Sequence, residues 1–336
     1  MSEIGSQEQR ADVKSEIARV LIAAMLTGDT PWQRPWSASS MRPMNPTSGN
    51  AYKGINRILL SLSGASDPRW VTYQQATKAG WQVRRGAKGS PIVKLVEVGA
   101  TRDQDGVSGR GEREAGEEGS GGRKAFALRR YTVFNASQVD GMPELPVAAP
   151  PKEFEVAERA EATLAALRET GLRIIHGGDR ACYVPSLDEI RLPAKSAFPT
   201  AYAYYSVALH EGAHSTLHET RLNRVAALGQ RWGDEAYSLE ELRAEICSAI
   251  LAAETGVPMA MSEEHVRNHA AYLNSWVKNL KRDPMAIFSA AKDAEQMAGY
   301  MLELEAKRTA IADHASWIRS YESAERASEL GLAVRR

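Results

Sequence analysis

Cysteine is almost missing from this chain. There are two in 336 residues, Cys182 and Cys247. So few, so far apart, cannot form a disulfide framework or a cysteine-rich metal knuckle. A reducing, cytoplasmic compartment is therefore expected. No apolar run approaches the roughly 18 residues of a membrane span, so a transmembrane helix is excluded. The first residues, Ser2 to Lys14, are polar and mixed in charge, unlike a secretory leader. Net charge is absent too: 42 basic residues balance 42 acidic ones. A uniformly basic nucleic-acid binder is excluded, although a local imbalance is not. No internal repeat, helix-turn-helix or zinc-finger spacing is found. What remains is a globular composition, 43% hydrophobic and 25% charged. A chain of this length suggests two domains.

Histidine is scarce, with seven in the chain, yet two of them fall in Leu209-His210-Glu211-Gly212-Ala213-His214. This is H-E-x-x-H. On a helix, positions i and i+4 share a face, so both imidazoles can point at one ion. Glu211 lies beside them, placed to act as general base on a water at that ion. Tyr204, Tyr205, Val207, Ala208 and Leu209 supply an apolar helical body. Gly212 and Ala213 are small enough for another element to come close. The predicted helix covers 202–220 and carries His218 one turn past His214, as a structural or substrate-polarising neighbour.

A catalytic zinc needs a third protein ligand. Residues 238–254 read as an uninterrupted helix with a buried stripe of Leu242, Ile246, Ala249, Ile250 and Ala253. Glu241 and Glu245 lie i, i+4 on it. Glu245, at the stripe's edge, is the expected ligand and Glu241 its supporting neighbour. The reverse assignment, and a pairing of both with Arg221 or Arg243, stay open.

Before this region the chain reads as a helix over 11–27, a short helix over 55–63, a helix over 73–79 capped by Thr72, and strands over 91–98 and 126–134. Residues 99–123 hold almost nothing apolar and read as a disordered insertion. The expected first domain is 1–146, followed by a proline-containing linker at 147–152. Then come a helix over 153–170, short strands near 173–175, 181–185 and 189–192, the motif helix, and helices over 263–281 and 284–305. The expected second domain is 153–305, with an extension at 306–336. An edge strand of its small sheet could pair with an extended peptide.

Charge is uneven within the zero total. Between 31 and 94, ten basic residues face one acidic residue, Asp67, a net of +9. Arg34, Lys53, Arg57, Arg84, Arg85 and Lys88 are interleaved there with Trp32, Trp36, Tyr52, Trp70, Tyr73 and Trp81. Arg129 and Arg130 follow on the returning strand. Cations that meet phosphates and rings that stack on bases suit single-stranded nucleic acid, at roughly 1–3 kcal/mol per stacked base. A basic solvated face over core tryptophans is the alternative.

The ordered motifs Pro-Trp-Gln-x-Pro-Trp at 31–36, Tyr-x-Gly-Ile-Asn at 52–56, Arg-Trp-Val-Thr-Tyr-x-Gln-Ala at 69–76, Val-Arg-Arg-Gly-x-Lys-Gly at 83–89 and Tyr-Thr-Val-Phe-Asn-x-x-Gln at 131–138 resemble the N-terminal domain of ArdC-type antirestriction proteins. The same module is similar to parts of TraC-type plasmid primases. In the second half, Leu-His-Glu-x-x-His at 209–214, Arg221-Leu-x-Arg224, Glu-Glu-Leu-x-Ala-Glu at 240–245 and Tyr-Leu-x-x-Trp at 272–276 resemble that family's zincin-type metallopeptidase domain. The resemblance spans about 11–305. It implies an α+β chain: an α+β single-stranded-DNA-binding domain, then a mostly helical zincin-like domain with a small sheet. Asn56, of the second motif, and Gln74, beside Tyr73 in the third, join the candidate DNA contacts. The implied role is protection of incoming plasmid or phage DNA from host restriction. The implied cofactor is Zn2+ on His210, His214 and Glu245, and the implied partners are single-stranded DNA and a restriction-modification subunit or other DNA-bound protein. Two alternatives remain: a DNA-binding shield with a structural or vestigial zinc site, and a DNA-tethered protease for cross-linked proteins.

Overall fold

The apolar periodicity read in the sequence becomes eight α-helices and eight strands in the computed structural model, which describes residues 12–27, 42–98, 125–145, 153–224, 235–257 and 263–329. Trp32, Arg34 and Trp36, the insertion at 99–123 and the linker at 147–152 lie outside these residues.

The first part opens with α1 (Val13–Leu26), whose Ile17, Leu21, Ile22 and Met25 form a buried stripe. Helix α2 (Ile55–Ser61) follows a glycine turn in which Gly54 takes φ 57°. Strand β1 (Trp70–Val71) leads into α3 (Tyr73–Lys78). Thr72 caps α3 with a full capping box, its hydroxyl accepting from Gln75 N while Gln75 Oε1 accepts from Thr72 N. Strands β2 (Gln82–Val83) and β5 (Val139–Asp140) pair antiparallel. The long strands β3 (Ser90–Val98) and β4 (Ala125–Asn135) form an antiparallel ribbon, with β1 added to β4.

The second part begins with α4 (Glu153–Glu169). A three-stranded sheet follows, of β6 (Arg173–His176), β7 (Cys182–Val184) and β8 (Glu189–Leu192) in the order β6-β8-β7. Then come α5 (Ala201–Ser215), α6 (Glu235–Thr255), α7 (Glu263–Arg282) and α8 (Ala286–Glu329). Two of these differ from expectation. Helix α8 does not stop near 305 but continues for 44 residues in all. No Gly or Pro interrupts it before Glu329 apart from Gly299, so nothing in the backbone ends it at 305. Helix α5 ends at Ser215 rather than 220. The hydroxyls of Ser215 and Thr216 turn back on the carbonyls of Gly212 and Ala213, and tighter turns follow up to Asn223, at φ 49°.

One buried core runs through both parts. Ile17, Leu21 and Met25 of α1 and Ile55, Ile58 and Leu59 of α2 share a cluster with Leu164, Leu167, Leu209, Leu242, Ile246 and Trp276. Each such side chain contributes about 1.5–3 kcal/mol on burial. Gly212 matters to this packing: a Cβ there would stand 3.1 Å from both Leu167 Cδ1 of α4 and Met301 Cε of α8. The small residue in the motif thus lets two neighbouring helices close on α5.

A polar clamp joins the parts as well. Arg57 is 5% exposed, and Glu295 of α8 receives its Nε at 2.6 Å and the backbone N–H of Gly54 at 3.0 Å. Glu254, near the end of α6, receives Arg57 at 3.5 Å and Arg42 at 2.8 Å.

Candidate metal centre

Helix α5 places His210 and His214 one turn apart with their Nε2 atoms 3.2 Å from each other. The rings meet edge to face, with centroids 4.8 Å apart. Helix α6 brings Glu241 to the same point: Oε1 lies 3.5 Å from His214 Nε2 and Oε2 lies 3.7 Å from His210 Nε2. Among the described residues, these three form a group able to hold a metal ion. Ligands at 2.0–2.1 Å from a tetrahedral ion stand about 3.3 Å from one another. The imidazole nitrogens stand close to that value and each has one Glu241 oxygen at 3.5–3.7 Å, so the donor types suit such an ion and one ligand atom from each residue lies within 4.8 Å of the others.

This arrangement puts Glu241, rather than Glu245, beside the two imidazoles. Glu241, expected behind the ligand, stands beside both imidazoles, and Glu245, expected as ligand, lies outside the group. Helical geometry supplies the reason. At about 100° per residue, Tyr237, Glu241 and Ser248 fall within about 40° of one another on α6, and Glu245 falls about 40° beyond Glu241, one turn further along. Tyr237 donates its hydroxyl to Glu241, and Ser248 Oγ is 3.3 Å from His210 Nδ1, so this sector faces the histidines. Glu245 is buried, as its place by the apolar stripe suggests, but does not join the group of three.

His218 is not part of the centre either. Because α5 ends at Ser215, the residue leaves the helical face, and its Nδ1 lies 2.9 Å from Thr220 Oγ1 and 3.9 Å from Asp188. Glu211 is buried beside the histidines, and its charge is felt at His214.

Sequence reasoning missed Glu240. It is 1% exposed, and its Oε1 lies 3.5 Å from His214 Nδ1. Arg224 grips it with two nitrogens, at 2.8 and 3.1 Å. The available signal was the acidic doublet Glu240-Glu241, in which adjacent residues point about 100° apart and can serve opposite sides of one ring.

Electrostatics follow from these contacts. Burial alone would lower the pKa of His214, but Glu241, Glu240 and Glu211 outweigh it and raise the value to about 9. Burial alone would raise Glu241, but His214, His210 and the Tyr237 hydroxyl bring it down to about 2. Burial and the charge of Glu241 push the Tyr237 hydroxyl far up. Glu240 and Glu241 are thus kept ionised, as a carboxylate ligand must be.

The candidate DNA contacts divide sharply. Trp70 is 3% exposed and sits in a small core with Leu60, Ile92 and Val133, so its ring is no platform. Arg57 is taken by the clamp. Asn56 is spent on β3, donating to Val93 O and accepting from Val93 N, each at 2.8 Å. Tyr52 packs on the Trp70 cluster with its hydroxyl near Asn45 and Trp70 O. Trp81 packs partly against Val83 and Val139. Tyr73 is 55% exposed, and Gln74, Lys53, Arg85 and Lys88 are exposed too. Arg84 is exposed but bonded to Asp140 and the carbonyl of Ser137, and Arg130 pairs with Glu16 at 2.5 Å. Arg129 is half-buried.

Known proteins agree with this architecture. A family model for the N-terminal domain of the anti-restriction factor ArdC matches residues 11–134, and one for a zincin-like metallopeptidase matches 158–293. The chain is 43% identical over 312 residues to a DNA primase TraC of Escherichia coli, covering 90% of this chain but 28% of the relative. An uncharacterized protein of Sinorhizobium fredii, y4eC, is 36% identical over 301 residues, covering 86% of this chain and 91% of the relative. The antirestriction ArdC protein from the R388 plasmid, solved metal-free, is 32% identical with a TM-score of 0.68, covering 88% of this chain and 99% of that one. Its Mn(II)-bound structure gives a TM-score of 0.67. With both halves matched in order and that solved relative covered almost end to end, this chain belongs to the ArdC family of antirestriction proteins.

Proposed function

We propose that this chain protects incoming DNA from restriction by holding single strands with its first part while its second part acts as a zinc peptidase. The observation that carries the reading is the meeting of His210 Nε2, His214 Nε2 and Glu241 at metal-ligand spacing, with Glu211 in the intervening helical turn. Two imidazoles and one carboxylate are a catalytic zinc set, and the Mn(II)-bound form of the R388 relative supports a divalent ion in a protein of this kind. A bound zinc would supply a Lewis acid and lower the pKa of its water to about 7. Glu211 is the residue placed to take that water's proton. Strand β7 lies at the edge of its sheet and packs against α5, where an extended peptide could add as a further strand. The natural substrate on this reading is a protein met on DNA, such as a restriction subunit.

Single-strand binding rests on the +9 segment and on Tyr73, Gln74, Lys53, Arg85 and Lys88, which the fold leaves exposed. The chain spans less than a third of the TraC relative, and priming is not part of the proposal.

Glu211→Ala tests the reading, because it removes the base and leaves the three ligands. The variant should still bind metal and single-stranded DNA but lose protection of incoming plasmid DNA in restricting cells. Full protection by a metal-loaded variant would leave a DNA-binding shield in place of the peptidase.

A further inference from the structure

The two histidines of the centre are held differently. His210 has an uncharged neighbour at its outward nitrogen, Ser248 Oγ at 3.3 Å, and that hydroxyl is already bonded to the carbonyl of Ala244. His214 has a carboxylate at its outward nitrogen, Glu240 Oε1 at 3.5 Å, and another, Glu241, at its inward one. Glu240 itself is not free to move. Arg224 binds both of its oxygens and also Thr216 Oγ1 at 2.9 Å, just past the end of α5. Arg243 approaches Glu240 at 3.8 Å and is held in turn by Asp293 of α8 at 2.7 Å. A chain of charged contacts thus runs from α8 through α6 to the outer side of His214.

From this geometry we infer that Glu240 is a positioning residue of the metal centre: clamped by Arg224, it accepts from His214 Nδ1 and so turns His214 Nε2 toward His210 and Glu241. The inference rests on the metal reading above and adds a function for two residues outside the ligand set. A metal-ligating imidazole almost always donates its other ring N–H, and a carboxylate there fixes the ring and makes the ligating nitrogen more basic. Arg224 makes the arrangement possible, because a carboxylate buried as deeply as Glu240 stays charged only with a close cationic partner. It also explains why the turn after α5 folds back on α6: the loop delivers Arg224 to Glu240.

The test uses the full chain, with zinc and cobalt(II) as probes. Zinc affinity is measured by chelator competition and ligand geometry by the visible spectrum of the cobalt form, while thermal melting without metal reports the fold. Glu240→Gln keeps the size and an acceptor but loses the charge. It should bind zinc about tenfold more weakly, in the range found for partners of metal-bound histidines, with a shifted cobalt spectrum. Glu240→Ala should lose more. Ser248→Ala, on the uncharged side, should lose less than Glu240→Gln. If Glu240→Ala does not fold, Glu240→Gln and Arg224→Lys carry the test, since each keeps a hydrogen-bonding group at the pair. Zinc affinity within twofold of wild type and an unchanged cobalt spectrum for Glu240→Gln would overturn the inference while leaving the metal reading intact. A wild-type chain that takes up neither ion would overturn both.

Discussion

Arg57 and Glu295 form a two-pronged pair, Nε to Oε1 at 2.6 Å and the terminal nitrogen to Oε2 at 3.4 Å, that bolts α2 to α8. The arginine is buried, so removing it strands the glutamate in a poorly solvated place. Arg57→Ala should destabilise the full chain by about 3–5 kcal/mol, read as a lower midpoint in denaturant. The double change Arg57→Met with Glu295→Leu should recover part of that loss, because breaking a buried pair costs more than replacing it with apolar groups. A loss below about 1 kcal/mol, the range of an exposed pair, would show that the clamp is solvent-screened.

Metal content discriminates between the two glutamates of α6. His210→Ala, His214→Ala and Glu241→Ala should each sharply reduce bound zinc, measured by elemental analysis of purified protein after dialysis. Glu245→Ala should alter metal content little while reducing thermal stability, as befits a buried side chain outside the cluster. A Glu245→Ala protein that folds but holds no zinc would reverse the assignment.

Asp188 and Arg221 make a pH-dependent latch between the sheet and the end of α5. Arg221 has a side chain 0% exposed and meets both Asp188 oxygens, while the Tyr183 hydroxyl donates to Asp188 at 2.9 Å. Burial alone would raise the Asp188 pKa, but Arg221 and Tyr183 hold it below the ordinary value. A depressed carboxylate stabilises the fold fully above its unfolded pKa of about 4. That stabilisation is lost as pH falls from there through the folded value. Asp188→Asn should therefore lower the melting temperature at pH 7 and narrow its gap to wild type at pH 3. A gap independent of pH would mean that the charge of Asp188 is not what holds Arg221.

For DNA, the exposed and buried aromatics should separate cleanly. Tyr73→Ala should weaken single-strand binding by about 1–3 kcal/mol, as a stacking platform would, without loss of stability. Trp70→Ala should destabilise the fold by about 3–5 kcal/mol as a core cavity does. Replacing Arg85 and Lys88 together by Ala should reduce the salt slope of binding by about 1.4, at about 0.7 per phosphate on single strands. Fluorescence anisotropy with a labelled oligonucleotide at several salt concentrations measures the two binding changes, and denaturant unfolding measures the loss of stability. No change on Tyr73→Ala would remove it from the binding face. The full chain is the right protein for this test, because α1 and α2 bury their apolar faces in the core shared with the second half.

Much of this was legible from residue spacing. Helical periodicity placed α1, α4 and α6, the Thr72 cap placed α3, and H-E-x-x-H brought His210 and His214 together. What was not legible depended on direction. Glu241 and Glu245 differ by about 40° on the helix, and only the packing of α6 on α5 decides which one faces the imidazoles. Arg57 and Trp70 looked like DNA contacts because charge and aromaticity in sequence carry no sign of burial. His218 leaves the face of His214 because α5 stops without Gly or Pro, at hydroxyls that bond back to the helix. Glu240 escaped notice since its role exists only once Arg224 and His214 meet it.

Helix α6 carries Glu240 and Glu241 near one end and Glu254, which receives Arg42 and Arg57, near the other. The two ends therefore share one rotational register. Insertion or deletion of a single residue between Glu241 and Glu254 would swing one end by about 100° relative to the other, so metal donors and inter-part clamp could not both be kept. A seven-residue change, close to two full turns, would leave the rotation nearly intact while shifting the ends by about 10 Å along the axis. Length variation in this segment is consequently forbidden by geometry, and loops elsewhere in the chain are where insertions can accumulate.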